Sequence, residues 1–514
     1  MHSTGLRTAV GLAVVLFSVA LTADAAGPGK PPNRKVQHVL LVSLDGFHQF
    51  DLDSYRQSHP ASALASLVAR GVSYTNATTS SPSDSFPGTL AMVTGGSPVS
   101  TGIYYDVSWD NDLSPAGSDC STRGTVVPYN ETINFSTSVR FTSINPAKLP
   151  RDPNRGCAPV FPHEYLRVNT IYEVIKAAGL RTAAADKHPS YELLHGPSGS
   201  GVDDLYTPEI NPDKRDISKT IDNDELKVKA VLNQIAGYAS TDSGHASFVG
   251  VPAIFGMNFQ APNIAQKFSG YTVDAAGIAT PNAIGTLGPA NIGHAPGLAQ
   301  AFDYVDGALA RMVAALDAEG LTDSTLLIVT SKHGNSPVDV SKLRLIDPLT
   351  TLIPLINSVQ AGLAAQVTDD TNALIWLKDR SRAAEVAEVL NTNASTIGAE
   401  SIYVGEQIDA LFNGELAGNP SRRPDIIVEP VLGVVYAAAN SKLADHGGFH
   451  EEDLHVPLVV VWPGREAGSV EQPVSLRQIA PTILHALGLH KRDLDAVRLE
   501  KTHSLPGLDD DEED

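Results

Sequence analysis

Cysteine and aromatic residues are scarce in this chain of 514 residues: two cysteines, and 6% Phe, Trp and Tyr. With two cysteines, at most one intrachain disulfide is available. Basic residues are also few, 37 Lys and Arg against 58 Asp and Glu, a formal charge of −21. An acidic surface repels a phosphate backbone, so nucleic-acid binding is disfavoured. Any phosphate chemistry here needs a local positive source: a metal, a helix end or individual lysines. After residue 21 no apolar run is long enough to span a bilayer. No Pro/Gly/Ser linker, charge run or internal repeat divides the middle, which predicts one large α/β unit with long insertions.

At the start, Arg7 precedes an apolar run over 9–21, and Ala23-Asp24-Ala25 supplies small residues for signal-peptidase cleavage. Residues 1–25 therefore read as a secretory signal. The other end, 508–514, is acidic where a lipid-anchor signal needs an apolar tail, so a soluble, secreted protein without a membrane anchor is expected. Cys120 and Cys157 either close a disulfide, as that compartment permits, or remain buried thiols. Asn76, Asn130, Asn134 and Asn393 each begin a glycosylation acceptor and belong on the surface if used.

Along the chain, 36–44 is a near-continuous apolar run that ends in Asp45-Gly46, as a strand buried on both faces does. Strands are also expected over 181–185, before Asp186-Lys187-His188; over 246–255; over 324–331, before Lys332-His333; and over 456–462, after the polar loop containing Asp445-His446. Helices are expected over 61–70, 168–178, 226–238, 298–318 and from 477 to Gly488. Residues 372–377, 382–390 and 425–429 read as strand, helix, strand, and 97–162 as an irregular excursion. This alternation predicts a largely parallel central sheet covered by helices on both faces. The domain would run over 36–489, followed by a C-terminal segment, 490–514, that ends in an acidic, disordered tail.

One stretch stands apart. In Ser83-Asp84-Ser85-Phe86-Pro87-Gly88, hydroxyls run into a helix start, where free N–H groups and the helix dipole converge. Ser85 is either an ordinary N-cap or a nucleophile. The second role gains weight from Asp45, His333 and His446, all predicted at the C-terminal ends of buried strands or the loops beyond, where open α/β sheets place ligands. Asp and His ligate metals, and a metal beside a serine lowers the hydroxyl's pKa.

Taken in order, Leu41-Val42-Ser43-Leu44-Asp45-Gly46, Ser83-Asp84-Ser85-Phe86-Pro87, Ser331-Lys332-His333-Gly334, His446-Gly447-Gly448 and Pro481-Thr482-Ile483-Leu484 resemble motifs of the alkaline-phosphatase superfamily, in particular its type I phosphodiesterase/nucleotide pyrophosphatase branch. The resemblance implies an alkaline-phosphatase-like fold. It also implies Ser85 as a nucleophile that becomes phosphorylated, with Asp45, Ser85 and His333 on one divalent metal, zinc by analogy, and His446 and His294 on another. Asp106 falls at the family's phosphate-contacting position. Two departures stand out: Lys332 replaces the family's Asp before the strand-end His, and Ala290 replaces an Asp four residues before His294. Either Lys332 stands in for one cation, or Asp186, His188, Asp203, Asp204 or Asp445 supplies the missing ligands, or catalysis is lost. The expected function is hydrolysis of a small phosphodiester or pyrophosphate. The alternatives are a secreted binding protein that keeps the fold, or a sulfatase or phosphonate hydrolase.

Overall fold

A computed structural model describes residues 36–210, 216–282, 297–412 and 421–508. Its centre is the strand His38–Leu44, whose side chains alternate between two cores. Val39 and Leu41 pack in the cluster that holds Leu90, Val93 and Ile483; Leu40, Val42 and Leu44 pack with Phe302, Val305 and Leu309. Burial on both faces explains the lack of polar alternation in its sequence.

Eight strands form the main sheet, in the order Gly468–Val470, Val72–Tyr74, Leu458–Val461, Thr325–Thr330, His38–Leu44, Ile254–Phe259, Ala183–Ala185, Asp204–Tyr206. The last five are mutually parallel, in register Ser43↔Thr330 and Ser43↔Asn258. Leu458–Val461 runs antiparallel to Thr325–Thr330, pairing Leu458 with Thr330. The sheet is thus mixed, and the reversal moves His446. It precedes its strand rather than following one, and reaches the same sheet edge because that strand enters where its neighbour leaves.

Residues 364–430 contribute a second, four-stranded antiparallel sheet that the strand, helix, strand expectation did not separate from the first. Helices Leu352–Val359 and Ala383–Thr392 supply Ile356 and Leu390 to one of its faces. Tyr104 and Tyr105 pack with Leu374 and Trp376 on the other. The turn between strands Ala364–Asp369 and Ala373–Leu377 carries Asp370.

The excursion over 97–162 contains two short hairpins, and Cys120 and Cys157 are joined in a disulfide. The domain does not stop at 489: Leu494, Val497, Leu505 and Leu508 are core residues, and Glu500 accepts hydrogen bonds from Ser97 and Arg477. Residues 490–508 thus pack on the domain; the acidic tail over 509–514 and the signal segment 1–25 lie outside the described residues. Among the described residues no helix is long and apolar enough to cross a membrane.

Candidate active site

Parallel strands deliver their C-terminal residues to one edge, and here the delivered residues are Asp45, Asp186-Lys187-His188 and Lys332-His333. Backbone bonds knit the ends together: Asp45 N–H to Phe259 O at 2.9 Å, Gly46 N–H to His333 O at 3.0 Å, and Ser336 N–H to Asp445 O at 2.7 Å. Gly46 has φ +81°, and a Cβ there would meet the Asn335 and Gln266 side chains at 2.5 Å. Helix Ser85–Thr94 starts over this edge, capped by Asp84, whose Oδ1 accepts from Phe86 N–H. Gly88 allows its close approach, since a Cβ would stand 2.2 Å from Lys332 O.

Ser85 Oγ lies 3.1 Å from His333 Nε2. His333 Nδ1 is 2.9 Å from Gly334 O, which can only accept, so we assign the proton to Nδ1 and leave Nε2 to accept from the serine. Burial lowers the His333 pKa to about 3, so the ring is neutral at physiological pH.

The Lys187 ammonium donates to Ser85 Oγ at 3.1 Å and to Asp45 Oδ2 at 2.9 Å. Asn258 Nδ2 donates to the same Asp45 oxygen at 3.0 Å. Burial alone would raise the Asp45 pKa, but Lys187 and Lys332 outweigh it and hold the carboxyl well below the usual range. Burial likewise opposes the Lys187 charge, and Asp45 with Asp186 and Asp84 overcomes it, raising that pKa. Lys332 Nζ donates to Asp186 Oδ2 at 2.8 Å and to Tyr191 OH at 3.0 Å, above the tyrosine ring.

Beside this group lies a second one. The His446 ring centroid is 3.9 Å from that of His333, and His446 Nδ1 is buried without a hydrogen-bond partner. Asp370, Asp445 and His446 offer ligand atoms within 4.8 Å of one another, a candidate metal-binding group. Lys442 bridges Asp370 and Asp445, and Lys267 reaches Asp445 at 2.5 Å. Burial and the neighbouring Asp445 raise the Asp370 pKa well above the carboxylate range. Ser85, Lys187, Lys267, Lys442 and His446 line a cavity of about 270 Å³, with Asp106 on its wall.

The two groups differ as metal sites. At Asp45, Ser85 and His333 a metal does not fit, because one ammonium already bonds two of the three ligands and a second, Lys332, stands alongside. Two unit charges of like sign about 4 Å apart repel by about 4 kcal/mol at an effective dielectric near 20, and a divalent ion doubles that. Asp370, Asp445 and His446 do fit an ion by donor type, with His446 Nε2 3.8 Å from Asp445 Oδ1, provided that an ammonium yields its place.

Asp45, Ser85, Lys332, His333 and His446 therefore meet as expected. The other residues considered as replacement ligands, Asp445 apart, are committed elsewhere: Asp186 to Lys332, His188 to Glu209 at 2.6 Å, Asp203 to Thr182 and Lys176, and Asp204 to Arg181 and Ser240. His294 and Ala290 lie outside the described residues. Asn134 is buried and its amide donates to Glu209, so it lacks the surface position that a used glycan acceptor needs, whereas Asn76 is exposed. Lys187 reads in the sequence as a solvated loop charge; its position directly after a buried strand was the available signal that it is not. Lys267, Lys442 and Asp370 carry no comparable signal, since only the tertiary fold brings them to the cavity.

Residues 39–453 match the family model described as type I phosphodiesterase/nucleotide pyrophosphatase. Among solved structures, mouse ectonucleotide pyrophosphatase/phosphodiesterase 5 aligns with TM-score 0.56 at 15% identity, covering 88% of this chain and 96% of its own. The human protein of that name gives 0.55 at 16%, covering 88% and 95%, and alkaline phosphatase PafA gives 0.58 at 12%, covering 89% and 96%. These likenesses show an alkaline-phosphatase-like fold. No curated protein matches the chain by sequence. With the model spanning most of its length, the chain belongs to the type I phosphodiesterase/nucleotide pyrophosphatase family of phosphoric ester hydrolases.

Proposed function

We propose that the protein is a secreted hydrolase of small phosphodiesters or pyrophosphates that works through a phospho-Ser85 intermediate. The observation that carries this reading is the Ser85–His333 contact at the N-terminus of a helix, on the wall of a cavity with three lysines. Lys187, Lys267, Lys442 and the helix N–H groups attract an anionic ester and offset charge that develops on its oxygens. Ser85 Oγ attacks phosphorus and its proton passes to His333 Nε2, while the bond to the departing oxygen breaks and water protonates that oxygen. The hydroxide left from that water then displaces Ser85, which recovers its proton from His333. Both half-reactions balance with water as the only co-reactant.

A divalent ion, zinc by family resemblance, held at Asp370, Asp445 and His446 would add Lewis-acid charge within the same cavity. Preference for a diester or pyrophosphate rests on the family match, and a mouse relative has been solved with AMP bound to an inactive form. Secretion is supported by the apolar N-terminal run and by the disulfide.

Ser85→Ala tests the reading. It should abolish turnover of bis(4-nitrophenyl) phosphate with the thermal midpoint unchanged; retained turnover would sink it. A wild-type protein that binds AMP but turns over no phosphodiester, pyrophosphate, sulfate ester or phosphonate would instead be a binding protein. Lys332 in place of an expected carboxylate, and Lys187 bonded to Asp45, are the observations that favour this second reading.

A further inference from the structure

We propose that Lys187 is a catalytic residue whose ammonium is the resident cation at the nucleophile, so that phosphoryl transfer to Ser85 uses no metal at Asp45, Ser85 and His333. The inference rests on the phospho-Ser85 reading and deepens it. Its basis is contact: one buried ammonium bonds both the nucleophilic oxygen and the carboxylate expected to ligate the metal. That carboxylate is completely buried and also accepts from Asn258, so Lys187 and Asn258 share one of its two oxygens.

Charge and anchoring point the same way. Asp45 with Lys187 and Asp186 with Lys332 form two adjacent buried ion pairs, in which Asp45 Oδ1 is left without a hydrogen-bond partner. A divalent ion entering there would leave two unmatched positive charges out of water, a state that buried sites avoid. Lys332 is not free to swing away. Its carbonyl accepts from Thr79 Oγ1 at 2.5 Å, the backbone of helix Ser85–Thr94 crosses it at Gly88, and Tyr191 holds its ammonium. An ammonium donates hydrogen bonds to Oγ both before and after the serine proton leaves for His333, and so favours the alkoxide-like oxygen that attacks phosphorus. In that step the Oγ–P bond forms, the bond to the leaving oxygen breaks, and Lys187 keeps all three of its protons.

The test counts zinc and traps the intermediate on the full secreted chain. After saturation with zinc and removal of unbound ion, elemental analysis should find no more than one zinc per chain, with the number unchanged in Asp45→Asn. The double variant Lys187→Ala/Lys332→Asp, which replaces both cations and adds a carboxylate, should gain one. Chelator-stripped wild type should still form phospho-Ser85 from bis(4-nitrophenyl) phosphate, at a rate at least 100-fold above Lys187→Met, with Lys187→Arg in between. Two zinc ions per chain in wild type would overturn the inference, a result that needs no variant to fold. Phospho-Ser85 that forms only with that second zinc bound would do the same. No phospho-Ser85 under any condition would sink the hydrolase reading instead, and the zinc count would then decide the role of Lys187 alone.

Discussion

Lys187 Nζ and Asp45 Oδ2, brought together from two parallel strand ends 142 residues apart, stand 2.9 Å from each other in the interior. Breaking one partner of such a pair strands the other charge, at a cost of about 3–5 kcal/mol. Lys187→Met and Asp45→Asn should each lower stability on that scale in urea unfolding. The double variant should cost less than the sum, with a coupling of about 1–3 kcal/mol; strict additivity would mean that the two groups do not act as a pair.

His333 takes the serine proton, so its loss should fall on the chemical step. His333→Gln is expected to lower kcat by about 10²–10⁴-fold while KM changes little, a size typical of general-base removal. Steady-state kinetics on bis(4-nitrophenyl) phosphate measures the split. A rise in KM at constant kcat would assign His333 to substrate binding.

Asp453 gives the fold a pH dependence. Burial raises its pKa to about 7, against the opposing Ser336 and Thr371 hydroxyl bonds. From about pH 4, where an unfolded aspartate ionises, up to about pH 7, the unfolded chain has lost a proton that the folded chain keeps. The group's contribution to stability therefore falls as pH rises through that window, by at most about 1.4 kcal/mol per pH unit. Wild type should lose more stability between pH 5 and pH 7 than Asp453→Asn does. An equal loss in both would show that Asp453 is ionised in the folded protein.

The Cys120–Cys157 disulfide closes a loop with a sequence separation of 37. Chain entropy puts its contribution at about 3–4 kcal/mol. Cys120→Ser/Cys157→Ser should unfold at correspondingly lower urea, and the wild type should show no thiol reactivity until it is reduced. Reactive thiols in the oxidised secreted protein would contradict the pairing.

Much of this structure is legible from short-range pattern. Apolar runs locate four main-sheet strand ends to within a residue, and helix 298–318 is read at its observed bounds, Leu298–Ala318. The run at 246–255 was less exact: its strand is Ile254–Phe259, because Gly256 and Asn258 interrupt the apolar pattern without interrupting the strand. Strand direction was not legible, since a buried antiparallel strand such as Leu458–Val461 has the same composition as a parallel one. At the site, Ser85, Asp45, His333 and His446 could be picked out by residue type and position. Lys187 offers only its position directly after a buried strand, and Lys267 and Lys442 offer nothing, because a lysine pattern looks the same whether the ammonium faces water or a buried carboxylate.

The most direct measurement is mass spectrometry of the wild-type protein, acid-quenched during turnover of bis(4-nitrophenyl) phosphate, with the peptide spanning 81–96 sequenced. A phosphoryl adduct on Ser85, absent from Ser85→Ala, is the predicted result. Turnover without any adduct there, or with the adduct on Ser81 or Ser83, would contradict the account.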